Sequence, residues 1–227
     1  MKKSLIDHLS NFVTERRMSL FEQILNDRTR YITVVLEDIY QSHNASAVLR
    51  SCDVFGIQDV HIIENKNKYT VNPDVTLGSD KWLNITKYSS GEDNTEEAIN
   101  KIRSQGYRII AATPHDKSVP LKNFDLKNGK VALVFGTELR GLSEEVLKNS
   151  DEFVHIPMFG FTESLNISVS VAIILHSLSE ELRKLNINWQ LSQKEKDLIL
   201  RNWLMRSINK SELIEKKFNS ENLNEIL

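Results

Sequence analysis

Cysteine is nearly missing from this 227-residue chain. With Cys52 as its only thiol, no internal disulfide can form. Long hydrophobic runs are missing as well. The longest, Val169 to Leu175, is broken by Ser170 and is far too short to span a bilayer. The opening residues MKKSLIDHLSNFVTERR carry charge and asparagine where a signal peptide needs a continuous apolar core. A cytoplasmic protein without a membrane partner is therefore expected. His8, His43, His61, His115, His155 and His176 form no close pair, and no second cysteine joins them, so no metal site is expected. No G-x-G-x-x-G follows any strand-like segment, which disfavours a Rossmann dinucleotide site and the usual Rossmann cofactor loop of most methyltransferases. A P-loop lysine motif, internal repeats and low-complexity tracts are also absent.

What is present is ordinary in bulk and uneven in layout. Hydrophobic residues make 40% and charged residues 26% of the chain, which fits one globular domain with appended segments. The net charge of −2 does not advertise nucleic-acid binding, but its distribution does more. Residues 1–30 sum to +2, residues 31–182 to −7 and residues 183–227 to +3. Basic ends around an acidic middle suit a core that does chemistry and flanks that hold a polyanion. Two solvated helix faces would give the same counts.

Short apolar runs predict strands at Tyr31–Leu36, Asp59–Ile63, Arg108–Ala112, Val131–Phe135 and Phe153–Ile156, with a weaker one at Asn84–Tyr88. Helical patterns alternate with them at Ala45–Phe55, Thr95–Ser104, the SEEVLKNS stretch from Ser143, and Asn166–Leu185. Such alternation predicts an α/β fold with a mostly parallel sheet covered by helices on both faces. Cys52 falls on the stripe Ala45, Val48, Leu49, Cys52 and reads as a small packing residue. Residues 3–25 read as helical, 186–192 as a connector, and 192–217 as one or two short basic helices. Three parts are expected: a helical extension at 1–29, the α/β domain at 30–185, and a basic helical extension at 186–227. The last ten residues are polar and are expected to fray.

In a parallel α/β sheet, ligands sit beyond the carboxyl ends of the strands. Three strand ends here carry unusual residues. After the first strand comes EDIYQSHNASAVLRSCDVFG, where Asn44 is placed to open a helix and Ser46, Arg50 and Asp53 share a polar face. Taken alone, that face reads as solvated, with an Arg50–Asp53 pair. After Val131–Phe135 comes GTELRGLSEE, with Gly136 and Gly141 bracketing a turn and Glu138 at its tip. The third is IPMFGFTESLNISVSVAIILHSL. Its second half is apolar nearly all round, while its first half crowds Thr162, Glu163, Ser164, Asn166 and Ser168 together. Ser164 could cap the helix, but a cap needs one oxygen. The surplus hints at a ligand.

Together NASAVLRSCDVFG, ALVFGTELRGLS and IPMFGFTESLNISVSVA resemble motifs 1, 2 and 3 of the SpoU (TrmH) RNA 2′-O-ribose methyltransferases, in order and from about Arg30 to Leu182. The LGSDKW stretch at 77–82 is similar to the family's segment there. The resemblance implies a C-terminal trefoil knot, S-adenosylmethionine as methyl donor, and an obligate homodimer. By matching positions it makes Asn44, Arg50, Glu138, Ser164 and Asn166 the catalytic set, and Thr113, Gly136, Ile156 and Leu165 the frame of the cofactor pocket. The helical segments at both ends are similar in layout to tRNA enzymes of the family that methylate guanosine 18 of the D-loop. Another RNA site, in rRNA or at the tRNA wobble nucleotide, is the alternative, and a non-catalytic RNA-binding dimer is the rival class. A free guanidinium is a poor base. Arg50 therefore either is perturbed and takes the ribose proton, or stays charged, clamps a phosphate and stabilises the developing alkoxide. Arg16, Arg17, Arg28, Arg30, Arg201, Arg206, Lys210, Lys216 and Lys217 are the candidates for holding tRNA phosphates. Trp189 and Trp203 are expected to pack the terminal helices.

Overall fold

Alternation of side chains sets the two faces of the central sheet. In β1 (Ile32–Glu37) every residue is buried. Ile32, Val34 and Leu36 join one apolar cluster, while Val35 joins the other. A strand buried on both faces needs no polar alternation, which is why its sequence reads as a nearly unbroken apolar run. The computed structural model describes residues 4–70, 72–115, 117–137 and 140–224.

The remaining strands are β2 (Asp59–Ile63), β3 (Asn84–Tyr88), β4 (Arg108–Ala112), β5 (Val119–Pro120), β6 (Val131–Phe135) and β7 (Glu152–His155). They form one sheet in the order β3-β2-β1-β6-β4-β7-β5. Every pairing in it is parallel. Parallel neighbours need crossovers, and the helices supply them. On one face α3 (Ser42–Val54) and α7 (Ile167–Lys184) pack over the strands. On the other lie α5 (Thr95–Ser104) and α6 (Glu144–Asn149). Between β2 and β3 sits the short α4 (Pro73–Thr76).

Several expectations shift at their edges. The helix at motif 1 opens at Ser42 behind Gln41, so Asn44 lies inside its first turn and does not open it. Cys52 is fully buried in the core, as its stripe suggested. The apolar half of α7 buries Ile167, Val171, Ile174, Leu175, Leu178 and Leu182 against the sheet.

The chain divides into two compact units, Thr29–Trp189 and a second made of Met1–Arg28 with Gln190–Leu227. The two terminal segments, separate in sequence, thus build a single helical unit. It contains α1 (Leu5–Ser10), α2 (Glu15–Asp27), α8 (Gln193–Ser207) and α9 (Ser211–Asn224). A break separates α1 from α2: Asn11 closes the first helix, and Thr14 caps the second by accepting the Arg17 N–H. Phe21 meets Trp203 at 5.5 Å between ring centroids, and Leu9, Leu25, Ile199, Leu200 and Leu204 fill the rest of the small core. Trp203 packs the terminal helices as expected. Trp189 does not: it packs against the core of the sheet unit, under the Arg183 guanidinium at 5.5 Å. The polar C-terminal residues expected to fray continue α9 as far as Asn224.

One buried polar group makes the sheet unit acid-sensitive. His61 on β2 is 3% exposed, its Nδ1 lies 3.1 Å from the Tyr88 hydroxyl, and its Nε2 has no partner among the described residues. Burial is the main cause that lowers its pKa from 6.5 to about 4; nearby Asp59 opposes the shift and Lys101 adds to it. The folded state therefore resists protonation that the unfolded chain accepts. The stabilisation is complete above pH 6.5 and is lost as pH falls through the window from 6.5 to about 4. Urea melts should lose roughly 2 kcal/mol from this group between pH 7 and pH 5. His61→Gln, which keeps a partner for Tyr88, should flatten that loss. An equal loss in the variant would assign it to other groups.

Candidate active site

The site is assembled at the carboxyl edge of the sheet. β6 ends at Phe135, and the chain turns back on itself at once. The Thr137 N–H donates to the Gly141 carbonyl at 2.9 Å, and the Gly141 N–H donates to the Thr137 carbonyl at 3.0 Å. The Thr137 hydroxyl accepts the Arg140 N–H at 3.0 Å. This hairpin is tight enough to dictate two glycines. A Cβ on Gly136 would lie 2.2 Å from the Gly141 carbonyl oxygen, and Gly141 has φ +68°. Glu138, the expected motif 2 acid at its tip, lies outside the described residues.

A cavity of about 300 Å³ opens beside the hairpin. Its walls come from three strand ends: Ala112, Thr113 and Pro114 after β4; Phe135, Gly136, Thr137, Gly141 and Leu142 after β6; and Met158, Glu163, Ser164, Leu165, Ile167 and Ser170 after β7. Of the expected cofactor frame, Thr113, Gly136 and Leu165 line it. Ile156 is not among the lining residues, because it packs against the apolar core of the sheet. Glu163, one of the crowded polar residues before α7, lines it too, and so do Pro114, Thr137, Leu142 and Met158, which had not been singled out. Their signal in the sequence was only their place beside the motif residues, since backbone and apolar contacts leave no pattern of their own.

The polar crowding before α7 divides into two jobs. Glu163 and Ser164 precede the helix and face the cavity. Asn166, rather than Ser164, is the cap: its Oδ1 accepts the Ser168 N–H at 2.8 Å and the Ser168 hydroxyl at 2.6 Å. Its Nδ2 donates to Oδ1 of Asn44 at 3.2 Å, and the Asn44 Nδ2 donates to Oε1 of Gln41 at 3.2 Å. Asn44 is buried at 4% exposure. Two amides 122 residues apart thus stitch the first turn of α3 to the start of α7. Neither Asn44, Arg50 nor Asn166 lines the cavity.

Arg50 projects from α3 into solvent, and it makes no hydrogen bond or ion pair to a described residue. The expected pair with Asp53 is therefore not formed. Its donors are available to an external acceptor. Among the described residues no group of three or more His, Cys, Asp or Glu could hold a metal ion, and no helix is long and apolar enough to cross a membrane.

The basic candidates separate by environment. Arg16 and Arg17 on α2, Arg206 on α8, Lys210 after it, and Lys216 and Lys217 on α9 are exposed. Arg201 pairs with Glu215, and Arg30 pairs with Asp59 at 2.9 Å. Arg28 has to be withdrawn as an RNA ligand. It is 2% exposed, with its guanidinium 5.4 Å from the centre of the Trp203 ring, and it has no surface to offer a phosphate.

Residues 31–176, which contain the three stretches NASAVLRSCDVFG, ALVFGTELRGLS and IPMFGFTESLNISVSVA, match the SpoU rRNA Methylase family. The chain belongs to this family. It is 47% identical to the tRNA (guanosine(18)-2′-O)-methyltransferase of Borreliella burgdorferi over 93% of this chain and 95% of that one. Identity to the enzyme of the same name from Aquifex aeolicus is 30%, over 87% and 93%. The crystal structure of A. aeolicus TrmH/SpoU tRNA modifying enzyme superposes with a TM-score of 0.75 at 30% identity, covering 86% of this chain and 98% of that one. An AdoMet-bound rRNA methyltransferase from Sinorhizobium meliloti shares the fold, with a TM-score of 0.59 and 24% identity over 69% of this chain and 59% of that one. The part matched by the SpoU family contains the cavity walls and the asparagine stitch and lies within the sheet unit. The A. aeolicus and B. burgdorferi likenesses run beyond it.

Proposed function

We propose that this chain transfers a methyl group from S-adenosylmethionine to the ribose 2′-hydroxyl of guanosine 18 in tRNA. The observation that carries the reading is the near full-length likeness to guanosine-18 enzymes, in a chain that places the cavity walls and Arg50 on segments matched by the SpoU family. The cavity fits the cofactor chemically. Its walls mix apolar residues such as Phe135, Leu142, Met158 and Leu165, suited to a flat adenosine, with the polar Thr113, Thr137, Glu163, Ser164 and Ser170. When bound, S-adenosylmethionine supplies an electrophilic methyl group on a sulfonium.

The chain's own residues then position and stabilise. Arg50 stays charged and offers its fork to a substrate phosphate and to the negative charge developing on the ribose oxygen. Its exposure and its lack of a partner among the described residues favour this over a proton-accepting role. Asn44 and Asn166 hold the motif 1 helix against the start of α7. Glu138 belongs to the same set by family position, and Ser164 faces the cavity. Holding reactants in register is worth up to about 7–11 kcal/mol of barrier.

The rest of the reading follows the family. The segment after β7 threads through a loop as a trefoil knot, which brings its lining residues beside those that follow β4 and β6. Two copies form a homodimer. A groove of about 840 Å³ bounded by Leu121, Pro157, Phe159 and Ile173, with Phe159 98% exposed and Phe161 fully exposed, offers apolar surface for that contact. The helical unit built from both termini holds tRNA phosphates through Arg16, Arg17, Arg206, Lys210, Lys216 and Lys217, with Arg201 in support.

The test is methyl transfer from labelled S-adenosylmethionine to an unmodified tRNA transcript. Label should enter the wild-type transcript and drop to background when guanosine 18 is replaced by adenosine. Undiminished labelling of the substituted transcript would move the target elsewhere.

A further inference from the structure

Glu37 is a buried carboxylate to which none of the three motifs assigns a role. It ends β1 at 3% exposure. Its Oε2 accepts the Ser143 N–H at 2.9 Å, and its Oε1 accepts the Ser143 hydroxyl at 2.6 Å and the Thr95 hydroxyl at 2.9 Å. No ion pair to a described residue accompanies it. Three hydrogen bonds are what make a carboxylate tolerable in that position.

The placement of Ser143 gives these bonds a consequence. The motif 2 hairpin has two ends. Its entry, Phe135, is fixed by ladder register against Leu36 of β1. Its exit runs through Leu142 into Ser143, the residue that caps α6 by accepting the Val146 N–H. The last two residues of β1 therefore fix both ends, Leu36 through the backbone and Glu37 through its side chain. Between those ends Thr137, Gly141 and Leu142 form a wall of the cavity. Thr95 binds the same oxygen but comes from α5, on a different segment of the chain.

We propose that Glu37 is a positioning residue for cofactor binding: by pinning Ser143 it holds Thr137, Gly141 and Leu142 in the positions that accept S-adenosylmethionine. The proposal rests on the cofactor assignment made above.

The experiment compares Glu37→Gln, Ser143→Ala, Ser143→Thr and Thr95→Val in the full chain. Calorimetry gives the Kd for S-adenosylmethionine, thermal melts give stability, and kinetics give separate KM values for cofactor and tRNA. Ser143→Ala and Glu37→Gln should raise the Kd and the cofactor KM about tenfold, with the tRNA KM unchanged. Ser143→Thr keeps the hydroxyl and should restore the wild-type Kd. Thr95→Val removes a donor from the same oxygen, so it should lower the melting temperature while leaving the Kd within about twofold. Should Glu37→Gln fail to fold, the Ser143 pair decides. A fall in melting temperature with no change of Kd in any variant would make Glu37 merely structural and overturn the proposal. So would a Kd for Thr95→Val raised as far as for Ser143→Ala. Failure of the wild type to bind S-adenosylmethionine would overturn the cofactor assignment and this proposal with it, whereas unchanged variants of a binding wild type overturn only the role of Glu37.

Discussion

Arg50→Ala is expected to lower methyl transfer to tRNA by at least about 10³-fold while leaving S-adenosylmethionine affinity and thermal stability nearly unchanged. Two features of the site make this combination specific. The side chain is exposed and binds no described residue, so its removal leaves no partner stranded and should cost under about 0.5 kcal/mol of stability. It also lies outside the cavity lining, so the contacts proposed for the cofactor should survive. What disappears is a fork of five donors aimed at solvent, which only a bound substrate can engage. Arg50→Lys keeps a charge but loses the planar fork, and should recover only a small part of the rate. Single-turnover transfer, equilibrium binding of the cofactor and a melt together check the prediction. Near-normal turnover in Arg50→Ala would move the catalytic role to another group.

The second large effect is expected at Gly136. Alanine there would place a Cβ 2.2 Å from the Gly141 oxygen, 2.3 Å from its carbonyl carbon and 2.4 Å from the Leu142 nitrogen. All three are backbone atoms of the returning arm, so no side-chain rotation can relieve the contact. The hairpin must open, and with it one wall of the cavity. Overpacking of this kind costs about 1–3 kcal/mol. If that strain is relieved by moving the wall, cofactor affinity should fall roughly ten- to a hundredfold. Calorimetric titration of Gly136→Ala measures it directly. Wild-type affinity in a folded variant would show that the hairpin is not part of the cofactor site. Arg50→Ala and Gly136→Ala should therefore fail in complementary ways, one binding cofactor without turning over, the other weak in binding itself.

Much of the sheet was readable because local patterns carried it. Asp59–Ile63, Asn84–Tyr88, Arg108–Ala112 and Val131–Phe135 are strands over the same residues that their apolar runs suggested. The edges were harder. A glutamate closes β1, and its burial depends on Ser143, 106 residues away, which no window of sequence reveals. β5 is two residues long and leaves no periodic trace. The single helical unit made from both termini was equally hidden, since it rests on contacts such as Phe21 with Trp203. Arg28 shows the same limit from the other side. A cation in a basic segment looks like a phosphate ligand until the tryptophan that covers it is known.

The site divides along similar lines. The catalytic set Asn44, Arg50, Glu138, Ser164 and Asn166 came from the resemblance to the family, and only the polar crowding before α7 was visible in the residues themselves. Pairings and backbone walls were not. That Asn166 rather than Ser164 caps α7 depends on which residue leaves extended geometry last, and that Asn166 reaches Asn44 depends on the packing of α3 against α7.

The central claim is that a SpoU-family cavity, served by Arg50, acts on one ribose of tRNA. Mapping of 2′-O-methylated riboses in total RNA from cells with and without the gene tests it most directly. A methyl group that vanishes from guanosine 18 of tRNA when the gene is deleted, and returns with the wild-type gene but not with Arg50→Ala, is the predicted result. An unchanged guanosine 18 signal alongside a lost methyl in ribosomal RNA or at the wobble nucleotide would contradict it.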